Sequence, residues 1–197
     1  MPALSQGVLL AWRLAAEEAT RTGQRCIERE SLFIGLCYLD TWLRSRPSGG
    51  DSLPEDEQGL QALHAEAAAM AEPLWAMGLS PTRLCHAVHT ALARGHYKYI
   101  KGAKIHRSAA CKAAFQRAEA LMAPSASEVH CLHLLGGIVE APGTILTRVI
   151  EAYGVQVHTL HSKIIAAIGK LGSHSGPAKR QGLGVSHIIY MGANLPS

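Results

Sequence analysis

Apolar residues recur every three or four positions along most of the chain, the spacing that places them on one face of an α-helix. The first such stripe runs from Ser5 to Thr22, begins with a serine suited to an N-terminal cap and ends before Gly23. Val, Ile and Thr rarely alternate at strand spacing, so the pattern predicts an all-α fold. The further helices that it predicts span residues 30–45, 58–77, 81–93, 108–122, 130–140, 143–153 and 157–168.

Three segments interrupt or follow these helices. Residues 45–58 combine Pro, Gly, Ser and acidic side chains, which predicts an exposed acidic insertion. Residues 95–107 are basic and contain several glycines, which predicts a solvated connector. Residues 169–197 are rich in glycine and have little periodicity, which predicts a flexible tail or linker with one short extended piece at Val185–Met191.

The second half of the chain repeats the first. A shift of 102 positions superposes Gly35 on Gly137, and a shift of 76 positions superposes Gly78 on Gly154. The difference between the two shifts is extra chain in the first copy, and it coincides with the acidic insertion and the front of the third helix. Each copy has four helices and is too small to bury its own apolar stripes, so we expect the two to pack into one body. The copies span residues 1–94 and 108–168.

The motifs of both copies resemble the Clp repeat, which forms the N-terminal domain of Clp protein-unfolding ATPases. Leu14–Leu36 (LAAEEATRTGQRCIERESLFIGL) follows the pattern LAxxEA, then Ile or Val eight positions later, then xxEHLLLGL. The second family signature, LLxxxGVDxxxL, is matched by Leu74–Leu84 and by Val149–Leu160. The resemblance covers residues 1–168 and implies two pseudo-symmetric four-helix repeats packed into one helical domain. Ser31 stands where the family has histidine, and Leu132 stands where it has glutamate.

The resemblance implies a protein-binding function. A Clp N-terminal domain binds substrates or adaptors for a Clp-type ATPase and its protease, so the expected partners are proteins, including Clp ATPase or protease subunits. The sequence contains no GxxxxGK[ST] phosphate loop, so ATP hydrolysis is not assigned to this chain. It is then either the front of a longer chaperone or a free-standing accessory. The alternative is an interaction module without a link to proteolysis, either regulatory or similar to the ClpV proteins of secretion systems.

Four residues are candidate protein contacts. In ClpC proteins, the glutamate at the place of Glu30 helps to bind phosphoarginine-marked substrates, so the resemblance implies that role for Glu30. The adjacent Ser31 is a further candidate for contact with a protein partner. A carboxylate at a helix start also stabilises the helix by about 0.5 to 1 kcal/mol, as a cap or a partner of the helix dipole. Both interpretations of Glu30 stay open. Leu4 and Val8 are apolar candidates at the N-terminus of the first unit.

The histidine and cysteine residues favour a role in packing over a role in a metal site or a catalytic site. Three histidine pairs have HxxH spacing, which places both rings on one helix face, but two ligands are too few for zinc. The five cysteines are widely spaced without a CxxC pair, which is typical of reduced, buried thiols. We find no GxSxG motif and no paired catalytic carboxylates. We therefore expect no metal, no cofactor and no enzymatic activity. The histidine pairs are His86 with His89, His130 with His133, and His158 with His161.

Charge is distributed unevenly along the chain. Residues 1–75 hold 6 Lys or Arg against 11 Asp or Glu, whereas residues 76–197 hold 13 against 4. Two differently solvated faces and a basic surface for an acidic partner both fit this pattern, while nucleic acid is not an expected partner. The chain has no apolar run of membrane-spanning length and its start has no basic region of a secretion signal, so we expect a cytoplasmic protein.

Overall fold

A computed structural model describes residues 2–45, 57–99 and 104–174 of the 197-residue chain. Within these ranges the protein is mostly helical, which confirms the predicted fold class at that level, and each predicted helix is present. Ser5 caps α1 as the sequence predicts, with its Oγ accepting from Val8 N at 3.2 Å, and Ser108 caps α5 in the same way, with its Oγ accepting from Cys111 N at 3.1 Å. The helices are α1 Gln6–Arg21, α2 Arg29–Arg44, α3 Glu57–Ala76, α4 Pro81–Ala91, α5 Ala109–Ala120, α6 Cys131–Val139, α7 Gly143–Ala152 and α8 Val157–His174.

The last helix is longer than predicted. α8 continues to His174, so the prediction of a tail from residue 169 was wrong for its first six residues. The reason is that the apolar stripe of α8 continues to Leu171, which packs against the core. The extended piece predicted at Val185–Met191 and most of the acidic insertion lie outside the described residues.

Four two-residue strands, which the sequence did not predict, join the two halves of the chain. β1 (Ala3–Leu4) pairs in parallel with β4 (Glu128–Val129), and β2 (Cys26–Ile27) pairs in parallel with β3 (His106–Arg107). Each strand comes just before a helix, so the pairs bring the N-terminal ends of helices from different halves together. No helix within the described ranges has the length and apolarity needed to cross a membrane.

The basic connector is held against the first half. Gly95 N donates to Thr22 O at 2.9 Å, and Tyr97 N donates to Gly23 O at 3.0 Å, in the turn that follows α1. These two hydrogen bonds hold the start of the connector in place, while the side chains of His96, Tyr97 and Lys98 are exposed to solvent. Its backbone groups find partners in the turn instead of in water.

The core lies between the crossing helices of each half and at the contact between the halves. α1 packs on α2 and α5 packs on α6, with small residues at both crossings. The rings of Trp12 and Phe115, one from each half, meet with centroids 5.9 Å apart. Arg107 covers this contact, with its guanidinium carbon 4.9 Å from the Trp12 ring centroid and 5.3 Å from that of Phe115.

Candidate functional site

Glu30 lies in the first turn of α2 and is already paired within the chain. Its side chain is 10% exposed, and its Oε1 atom lies 3.3 Å from Arg29 Nη2. Arg29 Nη1 donates to the carbonyl oxygen of Ala141 at 2.7 Å, in the turn between α6 and α7. Arg29 therefore links the start of α2 to the second half of the molecule. A guanidinium group from a partner would have to compete with Arg29 for the Glu30 carboxylate.

The surroundings of Glu30 match the interpretation of a dipole partner. Glu28 is the N-cap residue of α2, and its side chain makes no capping hydrogen bond. The Glu30 carboxylate is the acidic group of the first turn of this helix, where the partial positive charge of the helix end attracts it. The carboxylate thus has a structural role whether or not a ligand also reaches it.

The other three candidate contact residues differ in exposure. Val8 and Ser31 are 0% exposed, because each lies on the core face of its helix, so the described fold presents neither side chain to a partner. Within the described residues, the Ser31 hydroxyl oxygen has no hydrogen-bond partner. Leu4 lies in β1 and is partly buried, so of these three residues it alone keeps exposed surface.

A second polar cluster, which the sequence motifs do not indicate, surrounds Glu66 of α3. Glu66 Oε1 accepts from Ser5 Oγ at 2.5 Å and from the Cys131 amide at 2.7 Å, while Oε2 accepts from the Gly7 amide at 3.2 Å. Ser5 is the N-cap of α1, and Cys131 is the first residue of α6. One carboxylate therefore satisfies backbone N–H groups at two helix N-termini, where such groups have no partner within the helix.

His130 extends this group of contacts, which we call the Glu66 cluster: Glu66, Ser5, Gly7, Glu128, His130, Cys131 and His133. The ring atom Nδ1 of His130 lies 3.5 Å from Glu66 Oε1, and Nε2 lies 3.7 Å from Glu128 Oε1. The His130 backbone amide donates to Nδ1 of His133 at 3.0 Å, which makes that ring nitrogen an acceptor. Two carboxylates therefore face His130, and a second imidazole lies beside it.

The contacts of the Glu66 cluster shift the pKa values of its members in different directions. The hydrogen-bonding interaction with Glu66 outweighs desolvation and raises the pKa of His130 above its ordinary value. Burial opposes the charge of Glu66, but hydrogen bonds from His130, Ser5 and the Cys131 amide outweigh it and lower the pKa of Glu66. Burial and the neighbouring His130 lower the pKa of His133 to about 4. At neutral pH, Glu66 is therefore ionised and His133 is neutral.

Gly7 makes room for the Glu66 carboxylate. A Cβ atom at this position would lie 2.5 Å from Glu66 Oε2 and 2.8 Å from the Cys131 sulfur. Any larger residue would therefore push the carboxylate away from the start of α1. The sequence held one signal for this cluster, because Glu66 lies between Leu63 and Met70 on the apolar stripe of α3, where a carboxylate needs buried partners.

A third polar cluster joins α1 to α4. Arg21 Nη2 donates to Glu18 Oε2 at 2.6 Å, and His89 Nε2 lies 3.3 Å from Glu18 Oε1. Glu18 is the glutamate of the LAxxEA motif, and its side chain is 10% exposed. The motif glutamate therefore contacts α4 through His89, a histidine of one HxxH pair.

Cys37, Cys111 and Cys131 are buried in the core, whereas Cys26 and Cys85 are half-buried. Among the described residues, no three His, Cys, Asp or Glu side chains are arranged to hold a metal ion. Burial raises the pKa of Cys37 and Cys131 well above the ordinary value, and it raises the pKa of Cys85 to about 11 and of Cys111 to about 12. Since the thiolate is the nucleophilic form, these four thiols are unreactive at neutral pH.

Two surface depressions lie near the ends of the helices. One is open and is lined by Gly143, Thr144, Thr147, Arg148 and Glu151 of α7. The other is smaller and lies between α3 and α8, near Pro73 and Ala167. The first opens widely to solvent, which suits contact with another surface better than enclosure of a small molecule.

No family model matches this chain, and a search of the curated proteins finds no match either. Any assignment of function therefore depends on the chain's own motifs and contacts.

Proposed function

We propose that this chain is a double Clp-type repeat that binds protein substrates or adaptors for a Clp-type ATPase and its protease, and that it acts by binding alone. The supporting observation is that motif glycines of the two copies make matching contacts. A Cβ atom on Gly35 would overlap the carbonyl oxygen of Ala11, and one on Gly137 would overlap that of Ala114. In each half, glycine is thus the residue that lets the first two helices approach closely.

The second signature of the repeat supports the same proposal. Gly78 and Gly154 follow α3 and α7 with φ angles of +73° and +77°, so both end a helix in the left-handed conformation that favours glycine. The next helix of each half then buries the motif leucine completely, Leu84 in α4 and Leu160 in α8. These positions are related by the smaller of the two shifts found in the sequence.

The strand pairs are reciprocal, as contacts between two similar units would be. Ser5 N donates to Val129 O at 3.0 Å, and Ser108 N donates to Ile27 O at 3.0 Å. Each serine caps the first helix of its half, and each carbonyl belongs to the strand before the second helix of the other half. This reciprocity favours a pseudo-twofold arrangement of two repeats, and the contact of Trp12 with Phe115 would lie near its axis.

The use of the titratable groups favours binding over catalysis. Glu66 joins α3 to the start of α6, Glu18 contacts His89 of α4, and Glu30 is paired with Arg29 at the start of its own helix. The thiols of Cys37 and Cys131 are buried and protonated at neutral pH. These carboxylates and thiols thus serve the fold. The function is therefore left to the surfaces of the helices.

The test is to capture the endogenous protein with an antibody and to measure its intact mass and its companions by mass spectrometry. We expect either a longer chain with ATPase peptides or a chain of the mass of this sequence, 21.0 kDa, with Clp subunits alongside. The control is the same capture from cells in which the gene is deleted. A chain of that same mass without any Clp subunit would overturn the link to proteolysis and would leave the regulatory or ClpV-like alternative.

A further inference from the structure

The front of α3 is an addition to the first half of the molecule. α3 has 20 residues whereas α7 has 10, and the shift of 76 positions places α7 on residues 67–76. Residues 57–66 thus have no counterpart in the second half. This front turns Leu63, which is 2% exposed, toward the core and ends at Glu66.

Its polar contacts converge on the starts of two other helices. From α1 come the Ser5 hydroxyl and the Gly7 amide, and from α6 comes the Cys131 amide, all donating to Glu66. The charged and titratable groups of the Glu66 cluster are Glu66 itself on α3, Glu128 on β4, His130 before α6, and Cys131 and His133 on α6.

We propose that Glu66 and His130 form a pH-dependent latch, which holds the front of α3 against the starts of α1 and α6 in mildly acidic solution and loosens it in alkaline solution. Protonated His130 lies between two carboxylates, with Nδ1 3.5 Å from Glu66 Oε1 and Nε2 3.7 Å from Glu128 Oε1. When His130 gives its proton to water, the charge attraction between its ring and the two carboxylates is lost. Glu66 then keeps only neutral donors. This proposal does not depend on the proposed function.

The pH range of the latch follows from the directions of the two pKa shifts. The pKa of His130 is raised, so its contribution is complete below its ordinary value of 6.5 and is lost as pH rises through the higher value of the folded protein. The pKa of Glu66 is lowered, so its contribution is complete above its ordinary value of 4.5 and is lost as pH falls through the lower value. The latch is therefore fully closed between pH 4.5 and 6.5.

Hydrogen exchange of the full chain, measured by mass spectrometry between pH 5.5 and 9, tests the latch. After correction for the intrinsic pH dependence of exchange, peptides from residues 57–66 should lose protection at high pH, by up to about tenfold for each pH unit by which the pKa of His130 is raised. Peptides from α5 are the reference: once the change in global stability with pH is subtracted, their protection against exchange should stay constant. Constant protection of residues 57–66 over this range would overturn the proposal.

Two variants separate the latch from a general loss of stability. His130→Gln keeps a side-chain donor but carries no charge, so residues 57–66 should exchange at high rates that no longer change between pH 5.5 and 9. Glu72→Gln removes an exposed carboxylate of the same helix and should behave as the wild type. A wild-type pH profile in His130→Gln would also overturn the proposal. If this variant does not fold, NMR titration of the His130 ring in Glu128→Gln replaces it, and an unchanged midpoint would count against the latch.

Discussion

Ser5, Thr22, Glu30, Ser31 and His133 are the buried polar residues of the described chain, and each lies at or within a turn of a helix end. Thr22, for example, ends α1, and its hydroxyl donates to Glu18 O at 2.7 Å. Helix ends carry backbone groups that lack partners within the helix, so a polar side chain can be buried there and still form hydrogen bonds. The burial of Ser5, Thr22, Glu30 and His133 therefore follows from where the helices end, whereas the buried Ser31 hydroxyl has no hydrogen-bond partner among the described residues.

A comparison of Ser5 with Ser108 measures how much the hydrogen bond to Glu66 adds to the free energy of unfolding. Both cap a helix, but only Ser5 also donates to Glu66. We expect Ser108→Ala to lower the free energy of unfolding by about 1 kcal/mol and Ser5→Ala to lower it by about 2 kcal/mol, because the second change removes a cap and a buried hydrogen bond. Urea denaturation at pH 7 measures both. Equal losses would show that the bond to Glu66 adds nothing.

Glu30→Ala separates the two roles considered for that carboxylate. Because Glu30 already faces Arg29 and the start of α2, we expect the substitution to lower the free energy of unfolding by about 1 kcal/mol. We also expect free phosphoarginine to give no heat in titration calorimetry with the wild type. Glu28→Ala, beside it, is the control. Phosphoarginine binding that Glu30→Ala abolishes and Glu28→Ala preserves would contradict this expectation.

His133 makes stability depend on pH. Its pKa is lowered to about 4, so the unfolded chain binds a proton at this residue below pH 6.5 while the folded chain does not. Its contribution to stability should thus fall between pH 6.5 and 4, by at most about 3 kcal/mol. His133→Gln keeps an acceptor for the His130 amide and should flatten this part of the curve. Denaturation midpoints at several pH values measure it, and an unchanged slope would refute the assignment.

At the scale of elements, the helices were predictable and the strands were not. A helix of ten or more residues repeats its apolar spacing several times, whereas Ala3–Leu4 and Cys26–Ile27 are too short to show any period. The Glu66 cluster was missed for a related reason. Its members come from distant parts of the sequence, and Glu66 carries no motif that names Ser5 or Cys131 as partners.

The short range of sequence patterns also explains which parts of the candidate site could not be predicted. The spacing of His130 and His133 correctly placed both residues at one helix start, but it could not show that Glu66 faces them. Likewise, the motif identified Glu30 without showing that Arg29 occupies its carboxylate. Local patterns thus predicted positions, while partners depended on how the two halves pack.

The helix crossings at Gly35 and Gly137 give a prediction for elements. Any side chain there would overlap backbone atoms of the preceding helix, so Gly35→Ala and Gly137→Ala should each lower the free energy of unfolding by about 3 kcal/mol. Gly169→Ala in α8 is the control, because a Cβ atom there would meet no other atom within 4 Å, and it should stabilise the protein by up to about 1 kcal/mol. Thermal unfolding followed by circular dichroism measures all three. A tolerated Gly35→Ala would refute the close crossing.

At the scale of the whole molecule, neither half is complete alone. Each half supplies one strand to both pairs, and Glu66 of the first half satisfies the amide of Cys131 in the second. We therefore expect residues 1–94 alone to show helical circular dichroism but no cooperative unfolding. Mixing them with residues 95–197 should restore a cooperative transition. Cooperative unfolding of residues 1–94 alone would show that the halves are independent.

The pairing of Leu4 with Val129 also sets a minimum time during protein synthesis before the first half can complete its contacts. A ribosome that adds about 5 to 20 residues per second needs about 6 to 25 s for the roughly 125 residues between these partners. Throughout that interval the first half of the nascent chain exposes apolar surface that the second half will cover once it has been synthesised. Slower translation extends the period, before the sixth helix emerges, in which this exposed apolar surface makes the nascent chain prone to aggregate.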